Sequence, residues 1–463
     1  MKKKLISSVL CAVMAVSLLA GCGSSEGTET TVPAEESPGS TEVSEDSDKD
    51  PVTLTFWSWE ASDLEAKSIQ AGIDDFQTLY PWITVDYMTV PSSDFHTKLK
   101  TALASGDGPD VFYLDATQCK DFVNAGLLME LTDVASEFTA DMTRASLEKV
   151  SMVDENGETH VYGLDICNVG PVIFYNKDLF DAAGVEYMPT KMDERWTWDE
   201  FVENMQKLTI VDDSGNTVQY GTCNWQEQYS LYVLQYMLEL NGTSWYNEDM
   251  TAAENVDSEE SKEVLNNIKA LRTELGVAPD PNAAGSDTGN SPTAMFLTGK
   301  VASIAIGSYA LQEISASDIN YGVGLFPTFG KDDSDAFIVS ADMKAINKGT
   351  EHPEEALLLA EYMSSTDFGI PIYKTGLWMP NREEMYKEEN LEQWFDRDVY
   401  PEGWEDLLEV FQNAKDKPTD KLSNVNAVND AVDEELQAFY YTDQDVDTTL
   451  QNIETRINAV LGN

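Results

Sequence analysis

The chain has 463 residues, more than one hydrophobic core normally serves, so two lobes or domains are expected. Its 83 acidic residues against 29 basic ones give a net charge of −54. No basic stripe is present to release counterions from a polyanion, which argues against a nucleic-acid partner. A well-solvated surface is the simplest explanation of the acidity.

The cysteines and histidines indicate neither a disulfide framework nor a metal centre. Three cysteines remain beyond the N-terminal segment, an odd number without metal-ligand spacing, and small buried side chains are the expected state for them. The three histidines are scattered along the chain and form no zinc or iron pattern. We therefore expect no metal and no cofactor. The residues concerned are Cys119, Cys167, Cys223, His96, His160 and His352.

The N-terminal residues 1–22 read as an export signal. A basic start is followed by an apolar stretch that is too short for a lasting membrane span, and then by Leu19-Ala20-Gly21-Cys22. These four residues resemble a bacterial lipobox, which implies cleavage before Cys22 and lipidation of its thiol. The alternative is a plain secretory signal. Residues 23–50 are polar and acidic, so we expect a disordered tether that spans on the order of 30 Å.

Folding is expected to begin at residues 52–56, where apolar positions alternate as in a strand. Trp57, Trp59 and Glu60 follow at the carboxyl end of this strand, where open α/β sheets bind ligands. Two tryptophans and a carboxylate can stack on and hydrogen-bond a sugar ring. The alternative is that either tryptophan packs in the core.

The next segments alternate between helix and strand. Apolar residues at helical spacing cover residues 69–80, and Val111–Leu114 form a buried strand that ends at Asp115. This order implies parallel pairing with right-handed crossovers. Asp115 is a candidate hydroxyl acceptor, or alternatively a capping carboxylate.

The central stretch 162–184 combines an irregular, glycine-containing segment with a buried strand at Val172–Tyr175 and a short helix. Asp178 is the predicted cap of that helix and Gly184 its end. Further along, Trp225 is a candidate cleft aromatic, and residues 303–306 read as another buried strand. From Trp404 to Leu461 the chain reads as helical.

Several phrases resemble the extracellular solute-binding proteins of ABC sugar importers, the group that includes maltose-binding protein. They are SGDGPDVFYLD, GPVIFYNKDLFDAAGV, WTWDEFVENMQKLT and FLTGKVASIAIGSY. The resemblance implies a two-lobed α/β fold, each lobe a mostly parallel sheet flanked by helices, with a ligand cleft between the lobes. It implies residues 51–166 and 326–368 for lobe 1, and residues 167–325 and 369–463 for lobe 2.

The resemblance also implies a function. The protein is expected to be a monomeric lipoprotein, anchored outside the cell membrane, that captures a carbohydrate by lobe closure and delivers it to a membrane permease. Tyr309 would supply a stacking ring from lobe 2, and Trp378 lies in an aromatic turn that faces the cleft. The complete set of expected ligand-binding residues is Trp57, Trp59, Glu60, Asp115, Asp165, Asn168, Trp225, Tyr309 and Trp378.

Two alternatives stay open. A secreted carbohydrate-active enzyme would need a carboxylate pair across the scissile bond, and among so many acidic residues the count alone decides nothing. The sequence contains no GxSxG or HExxH motif, and aromatic residues at strand ends bind ligands and do not transfer protons. The same fold could also carry a different cargo, such as a polyamine, a metal chelate or a peptide.

Overall fold

The computed structural model describes residues 49–60, 63–154, 156–225, 230–280, 291–333, 335–340 and 342–462. The predicted export signal, Cys22 and nearly all of the predicted tether lie outside the described residues. The strands are β1 (Val52–Glu60), β2 (Ile83–Pro91), β3 (Val111–Asp115), β4 (Ser151–Val153), β5 (Thr159–Val161), β6 (Leu164–Asp165), β7 (Pro171–Asn176), β8 (Ile210–Val211), β9 (Thr217–Gln219), β10 (Ser303–Gly307), β11 (Tyr321–Gly324), β12 (Ile338–Val339), β13 (Asp342–Ile346) and β14 (Lys415–Asp416).

The helices connect these strands and cover both sheets. They are α1 (Asp63–Leu79), α2 (Phe95–Ser105), α3 (Cys119–Asn124), α4 (Ser136–Thr139), α5 (Arg144–Val150), α6 (Lys177–Ala183), α7 (Trp198–Leu208), α8 (Ser230–Leu240), α9 (Glu259–Thr273), α10 (Pro292–Leu297), α11 (Leu311–Ser315), α12 (Pro353–Met363), α13 (Thr366–Tyr373), α14 (Glu388–Leu391), α15 (Trp404–Gln412), α16 (Val425–Tyr441) and α17 (Val446–Leu461). Short 3-10 turns lie at residues 92–94, 116–118, 308–310, 383–386 and 418–421.

The first sheet has the order β2-β1-β3-β13-β6. β1 pairs in parallel with β2 and with β3, as the alternation of strands and helices in the sequence predicts. In β1, Leu54 and Phe56 have no exposed surface, whereas Thr53, Thr55 and Trp57 alternate with them and keep some, so strand periodicity directs this part of the core. β13 returns to the sheet from a much later part of the chain and runs antiparallel to both of its neighbours.

The second sheet has the order β10-β7-β11. All six residues of β7 are buried, in agreement with the apolar run in the sequence. Both neighbours of β7 are antiparallel to it, so the expectation of mostly parallel pairing in each lobe is wrong for this sheet. The reason is topological: β7 carries the chain away from the first sheet, whereas β11 brings it back. The two-lobed α/β fold itself is confirmed by solved structures reported below.

Local capping explains where the helices begin and end. α6 is capped by Asn176, whose side chain accepts a hydrogen bond from the Leu179 backbone, so Asp178 is not the predicted cap. Gly184 ends α6 in the left-handed conformation, as predicted, and glycine adopts this conformation without strain. Thr197 and Glu200 form a reciprocal capping box at the start of α7.

The C-terminal part is helical with one interruption. Between α15 and α16 the chain forms β14 and a 3-10 turn, where a continuous helical reading was expected. α17 buries Leu450, Ile453 and Ile457 at helical spacing and packs against α16 and α9. This stripe confirms the predicted closing amphipathic helix.

Candidate functional site

The chain passes between the two sheets at residues 166–170 and 338–340, and residues 378–381 and 415–417 are bonded beside these passages. We name the four segments the crossing strip. Asn168 and Met379 exchange two backbone hydrogen bonds of 2.9 and 3.1 Å. Val169 and Ser340 exchange two more, both of 3.0 Å. β12 pairs in parallel with β14 at the far side of the strip. The passages between the sheets are therefore joined to one another and do not move as independent linkers.

The ends of both sheets adjoin this strip. β13 follows the second passage, and its first residue, Asp342, lies opposite Asp115, the last residue of β3. β1 is parallel to β3, so Trp59 lies towards the same edge. In the second sheet, Pro171 follows the first passage and lies opposite Gly307, the last residue of β10. Trp57 and Trp59 therefore lie in the last part of β1, and Tyr309 lies directly after β10, at the sheet edges that adjoin the crossing strip.

The ring of Tyr309 is 40% exposed and lies directly after β10. Its position depends on Gly307, because a Cβ atom there would lie 2.4 Å from Cε1 of Tyr309 and 3.2 Å from a methyl group of Val169. The ring thus packs over the end of β10 beside the crossing strip. An exposed, backed aromatic ring can stack on a ligand.

Trp57 and Trp59 are both half-buried. Trp59 makes edge contacts with Phe95 and Tyr113 at ring-centroid distances of 5.4 and 5.2 Å. Trp59 is therefore held by neighbouring rings, and each tryptophan keeps part of its surface available. Glu60 ends β1, and its side chain lies outside the described part of the structure.

Trp225 and Trp378 lie in the core. Trp225 is 2% exposed, donates from Nε1 to Oγ1 of Thr222 at 2.7 Å, and packs edge-on against Trp198. Trp378 is 4% exposed. The expectation that these rings face a ligand finds no support in this geometry, because their surface is already covered by protein.

Asp165 and Asn168 belong to a buried polar network. Neither has exposed surface. Lys149 donates to Oδ1 of Asp165 at 3.2 Å and to Oδ1 of Asn168 at 3.3 Å. The Asn168 amide also donates to Thr143 and to the Pro380 carbonyl, both at 3.1 Å. Their predicted contact with ligand hydroxyls is thus replaced here by contacts that fix the first passage.

Asp115 has a capping role, the alternative that the sequence left open. Its Oδ1 accepts hydrogen bonds from the backbone nitrogen and the hydroxyl of Thr117, at 2.9 and 2.7 Å. This cap starts the 3-10 turn at 116–118. One carboxylate oxygen is therefore committed to the turn, and Asp115 remains half-buried at the sheet edge.

Asp342 is a candidate that sequence reasoning missed. Its half-buried carboxyl lies in the cross-strand position opposite Asp115. Burial raises the pKa of Asp342 well above its ordinary value, and the nearby carboxyls of Asp115 and Glu65 raise it further. The signal in the sequence was weak, because this position gains its meaning only from a strand partner more than two hundred residues away.

Lys344 lies one pair further into the first sheet, opposite Tyr113. It has no exposed surface, and its Nζ lies 3.1 Å from the centroid of the Tyr113 ring. Burial lowers the pKa of Lys344 to about 7, against the opposing effect of nearby carboxyls. Burial likewise raises the pKa of Glu65 to about 7. Two ionisable groups therefore lie behind this edge of the first sheet, and burial destabilises the charged form of each.

Within the described residues, Asp154, Glu158 and His160 bring potential metal-ligand atoms within 4.8 Å of one another. They belong to the β4–β5 hairpin, where Oδ1 of Asp154 accepts backbone hydrogen bonds from Asn156 and Glu158. The hydrogen bond between Nδ1 of His160 and the Glu130 carboxylate, which accepts it, raises the pKa of His160. The hydrogen bonds of a hairpin turn account for this grouping.

Two further observations concern the sequence predictions. Cys119, Cys167 and Cys223 are buried thiols outside any disulfide, as expected. No helix in the described ranges combines the length and apolar composition that crossing a membrane requires.

Comparison with known proteins gives consistent results. The multiple sugar-binding protein of Streptococcus mutans is 26% identical over 326 residues, covering 69% of this chain and 72% of that protein. The sn-glycerol-3-phosphate-binding periplasmic protein UgpB of Rhizobium meliloti is 23% identical over 303 residues, covering 63% and 66%. An ABC substrate-binding protein of Listeria monocytogenes, solved in complex with cycloalternan, superimposes with a TM-score of 0.75 at 24% identity, over 89% of this chain and 100% of that one.

The sequence profile of the family described as bacterial extracellular solute-binding protein matches residues 61–370, more than half of the chain. Solved structures with this two-lobed fold cover nearly all of the part that the structure describes. The chain therefore belongs to the family of bacterial extracellular solute-binding proteins.

Proposed function

We propose that the protein is the substrate-binding lipoprotein of an ABC importer and that it captures a mono- or oligosaccharide between its lobes. The family consists of solute-binding proteins, and relatives named for sugars match most of the chain. Lobe 1 would comprise residues 51–166 and 326–368, and lobe 2 residues 167–325 and 369–463. All strands of the first sheet fall within the former ranges and all strands of the second within the latter.

One observation supports the proposal: aromatic rings with accessible surface lie in the last part of β1 and directly after β10, on the sheet edges that adjoin the crossing strip. Trp57 and Trp59 belong to the first sheet, and Tyr309 follows β10 of the second. Sugar rings have an apolar face that such side chains cover, and a rim of hydroxyls that carboxylates such as Asp115 and Glu60 can bind.

Ligand capture by this arrangement requires contacts with both lobes. A ligand shifts the open and closed populations only as far as it binds the closed form better. Rings on the two lobes supply that difference, because a sugar can touch both sets only after closure. A membrane permease would then recognise the closed form, and a lipid on Cys22 would hold the protein at the outer face of the membrane.

The proposal is tested by a melting-temperature screen of the mature protein against neutral mono- and oligosaccharides, polyamines and short peptides. A ligand at one hundred times its dissociation constant stabilises the native state by about 2.7 kcal/mol. We expect at least one carbohydrate to raise the melting temperature. A screen in which no carbohydrate has an effect, while a polyamine or a peptide does, contradicts a sugar cargo.

A separate assay addresses the enzyme alternative. The protein is incubated with the oligosaccharides of the same screen, and new reducing ends are measured over a day. We expect none. Reducing ends that appear in proportion to protein concentration would favour a carbohydrate-active enzyme over a binding protein.

A further inference from the structure

The carboxyl of Asp342 is placed where a purely structural residue would be costly. It lies directly opposite Asp115 in an antiparallel pair, and like charges in that position destabilise a sheet. The side chain is half-buried, and no hydrogen bond or ion pair from the described residues reaches it. The buried Lys344 attracts this carboxyl and partly offsets the repulsion from Asp115, yet it leaves the carboxyl of Asp342 without a hydrogen bond from the described residues.

Polar groups behind Asp342 also lack partners. Strand periodicity puts Lys344 on the same face as Asp342, with Tyr113 opposite it. Both are fully buried, and neither Nζ of Lys344 nor the hydroxyl of Tyr113 has a hydrogen-bond partner within the described chain. Asp342 is the one of these three residues with exposed surface, and it lies at the edge that adjoins the crossing strip.

The chemistry of the pair restricts what can bind. The raised pKa of Asp342 favours its protonated form, which gives one hydroxyl donor beside several acceptor oxygens. Such a pair suits sugar hydroxyls or an ammonium group and repels a phosphate or a carboxylate. Three lysines around the strip are already bound: Lys149 to Asp165, Lys417 to Asp420 and Lys421 to Asp416, at 3.2, 3.2 and 3.3 Å. Lys344 has no exposed surface with which to meet an anion, and burial lowers its pKa to about 7.

We propose that Asp342 contacts the ligand and, together with Asp115, restricts the cargo to uncharged or amine-bearing sugars and excludes phosphorylated ones. This inference rests on the proposed function and goes further, because it narrows the class of ligand. The relatives include a protein named for binding sn-glycerol 3-phosphate, a phosphorylated ligand that the inference excludes for this chain. Asp342 acts here as a specificity-determining residue.

The test uses four sets of probes on the mature protein: maltose to maltopentaose, glucosamine and its dimer, glucose 6-phosphate, and sn-glycerol 3-phosphate. Affinity is measured by calorimetry for the wild type, for Asp342→Asn and for the exposed control Asp443→Asn. We expect binding of a neutral or amino sugar and no binding of either phosphate. Asp342→Asn should weaken binding about tenfold or more, since a hydrogen bond to a charged group is worth about 1.5–3 kcal/mol, and Asp443→Asn should leave it unchanged.

A second readout separates a ligand contact from a structural role. Asp342→Asn removes both the repulsion from Asp115 and the attraction to Lys344, which oppose each other, so its free energy of unfolding should stay close to that of the wild type although affinity falls. If that variant does not fold, Asp342→Ser replaces it. The affinity of the wild type should also change with pH as Asp342 ionises, which requires no variant.

The outcomes are distinguishable. If a sugar binds but Asp342→Asn binds it as the wild type does, this inference fails and the proposed function stands. Binding of either phosphate, or a wild-type affinity that is flat from acid to alkaline pH, also overturns the inference alone. If no carbohydrate of this set or of the wider screen binds, both the proposed function and the inference fail.

Discussion

Nζ of Lys149 lies 3.2 Å from Oδ1 of Asp165, at a place where neither side chain has any exposed surface. Lys149 comes from α5, and Asp165 ends β6, immediately before the first passage between the lobes. Burial raises the pKa of Asp165 despite the neighbouring ammonium. A buried ion pair therefore lies at the start of the first passage of the crossing strip.

Replacing Lys149 by methionine should lower the free energy of unfolding by about 3–5 kcal/mol at neutral pH, because a buried carboxylate is left unpaired. The loss should shrink as pH falls, since protonation removes the uncompensated charge of Asp165. The double variant Lys149→Met with Asp165→Asn should recover much of the loss. Urea denaturation of both variants checks this, and a double variant less stable than the single one would contradict it.

Trp57 and Trp225 should respond differently to replacement by alanine. Trp225 is nearly fully buried, so its loss should cost about 3–5 kcal/mol of stability. Trp57→Ala should cost less stability and should weaken binding of the sugar found by the screen. Melting temperature and calorimetric affinity are measured for both variants. A large drop in melting temperature for Trp57→Ala with unchanged affinity would make Trp57 a core residue.

The position of the Tyr309 ring should matter as much as its presence. Tyr309→Ala should reduce sugar affinity by about 1 kcal/mol or more, with a change in stability within about 0.5 kcal/mol, because the ring is exposed. Gly307→Ala should also weaken binding, since the new methyl group displaces the ring. Tyr187→Ala, another exposed tyrosine, serves as control. Equal affinities for all four proteins would remove Tyr309 from the site.

Glu65 should make the protein less stable as pH rises from about 4.5 to about 7. Burial raises its pKa to about 7, so over this interval the unfolded chain releases the proton while the folded protein retains it. The interval corresponds to about 3 kcal/mol. Glu65→Gln should flatten the dependence, and the exposed Glu313→Gln should not. Chemical denaturation at pH 5 and pH 7.5 checks the slope, and identical slopes for all three proteins would refute it.

Asp416 and Asp420 should form a second pH-dependent contact, at β14. Both are buried, and burial together with Asp420 raises the pKa of Asp416 well above its ordinary value. As pH rises above about 4 this contribution to stability is progressively lost, because only the unfolded chain ionises freely. Asp416→Asn should remove the trend. Hydrogen exchange of the Lys417 amide, which donates to Val339 at 3.0 Å, reports the local loosening. Protection unaffected by pH in the wild type would disprove it.

Much of the fold could be predicted because local patterns and tertiary structure agree. Three patterns each show which face of one element packs against the core: the alternation in β1, the buried run in β7 and the apolar stripe of α17. The antiparallel second sheet was not predictable in this way, since its pairing depends on where distant segments return. The interruption at β14 likewise arises from pairing with β12, which no local pattern in that segment indicates.

The candidate site was less predictable for the same reason. Trp57 and Trp225 both occur near strand-like segments, yet one keeps accessible surface and the other is enclosed by Trp198 and Phe326. Asp165 was chosen for its place in an irregular segment, but Lys149 claims its carboxylate. Asp342 was overlooked because only the register of β13 against β3 reveals its partner.

The lateral backbone hydrogen bonds of the crossing strip also limit how the two lobes can move relative to each other. Asn168 and Val169 hydrogen-bond the neighbouring segments of the strip side by side. A rotation of the lobes about an axis across the strip bends these segments together, whereas a twist would strain the hydrogen bonds. For the lobe closure proposed above, rotation about one axis is therefore favoured over a twist. Loss of one of these hydrogen-bonded pairs would broaden the range of rotation axes more than it would change the open and closed states themselves.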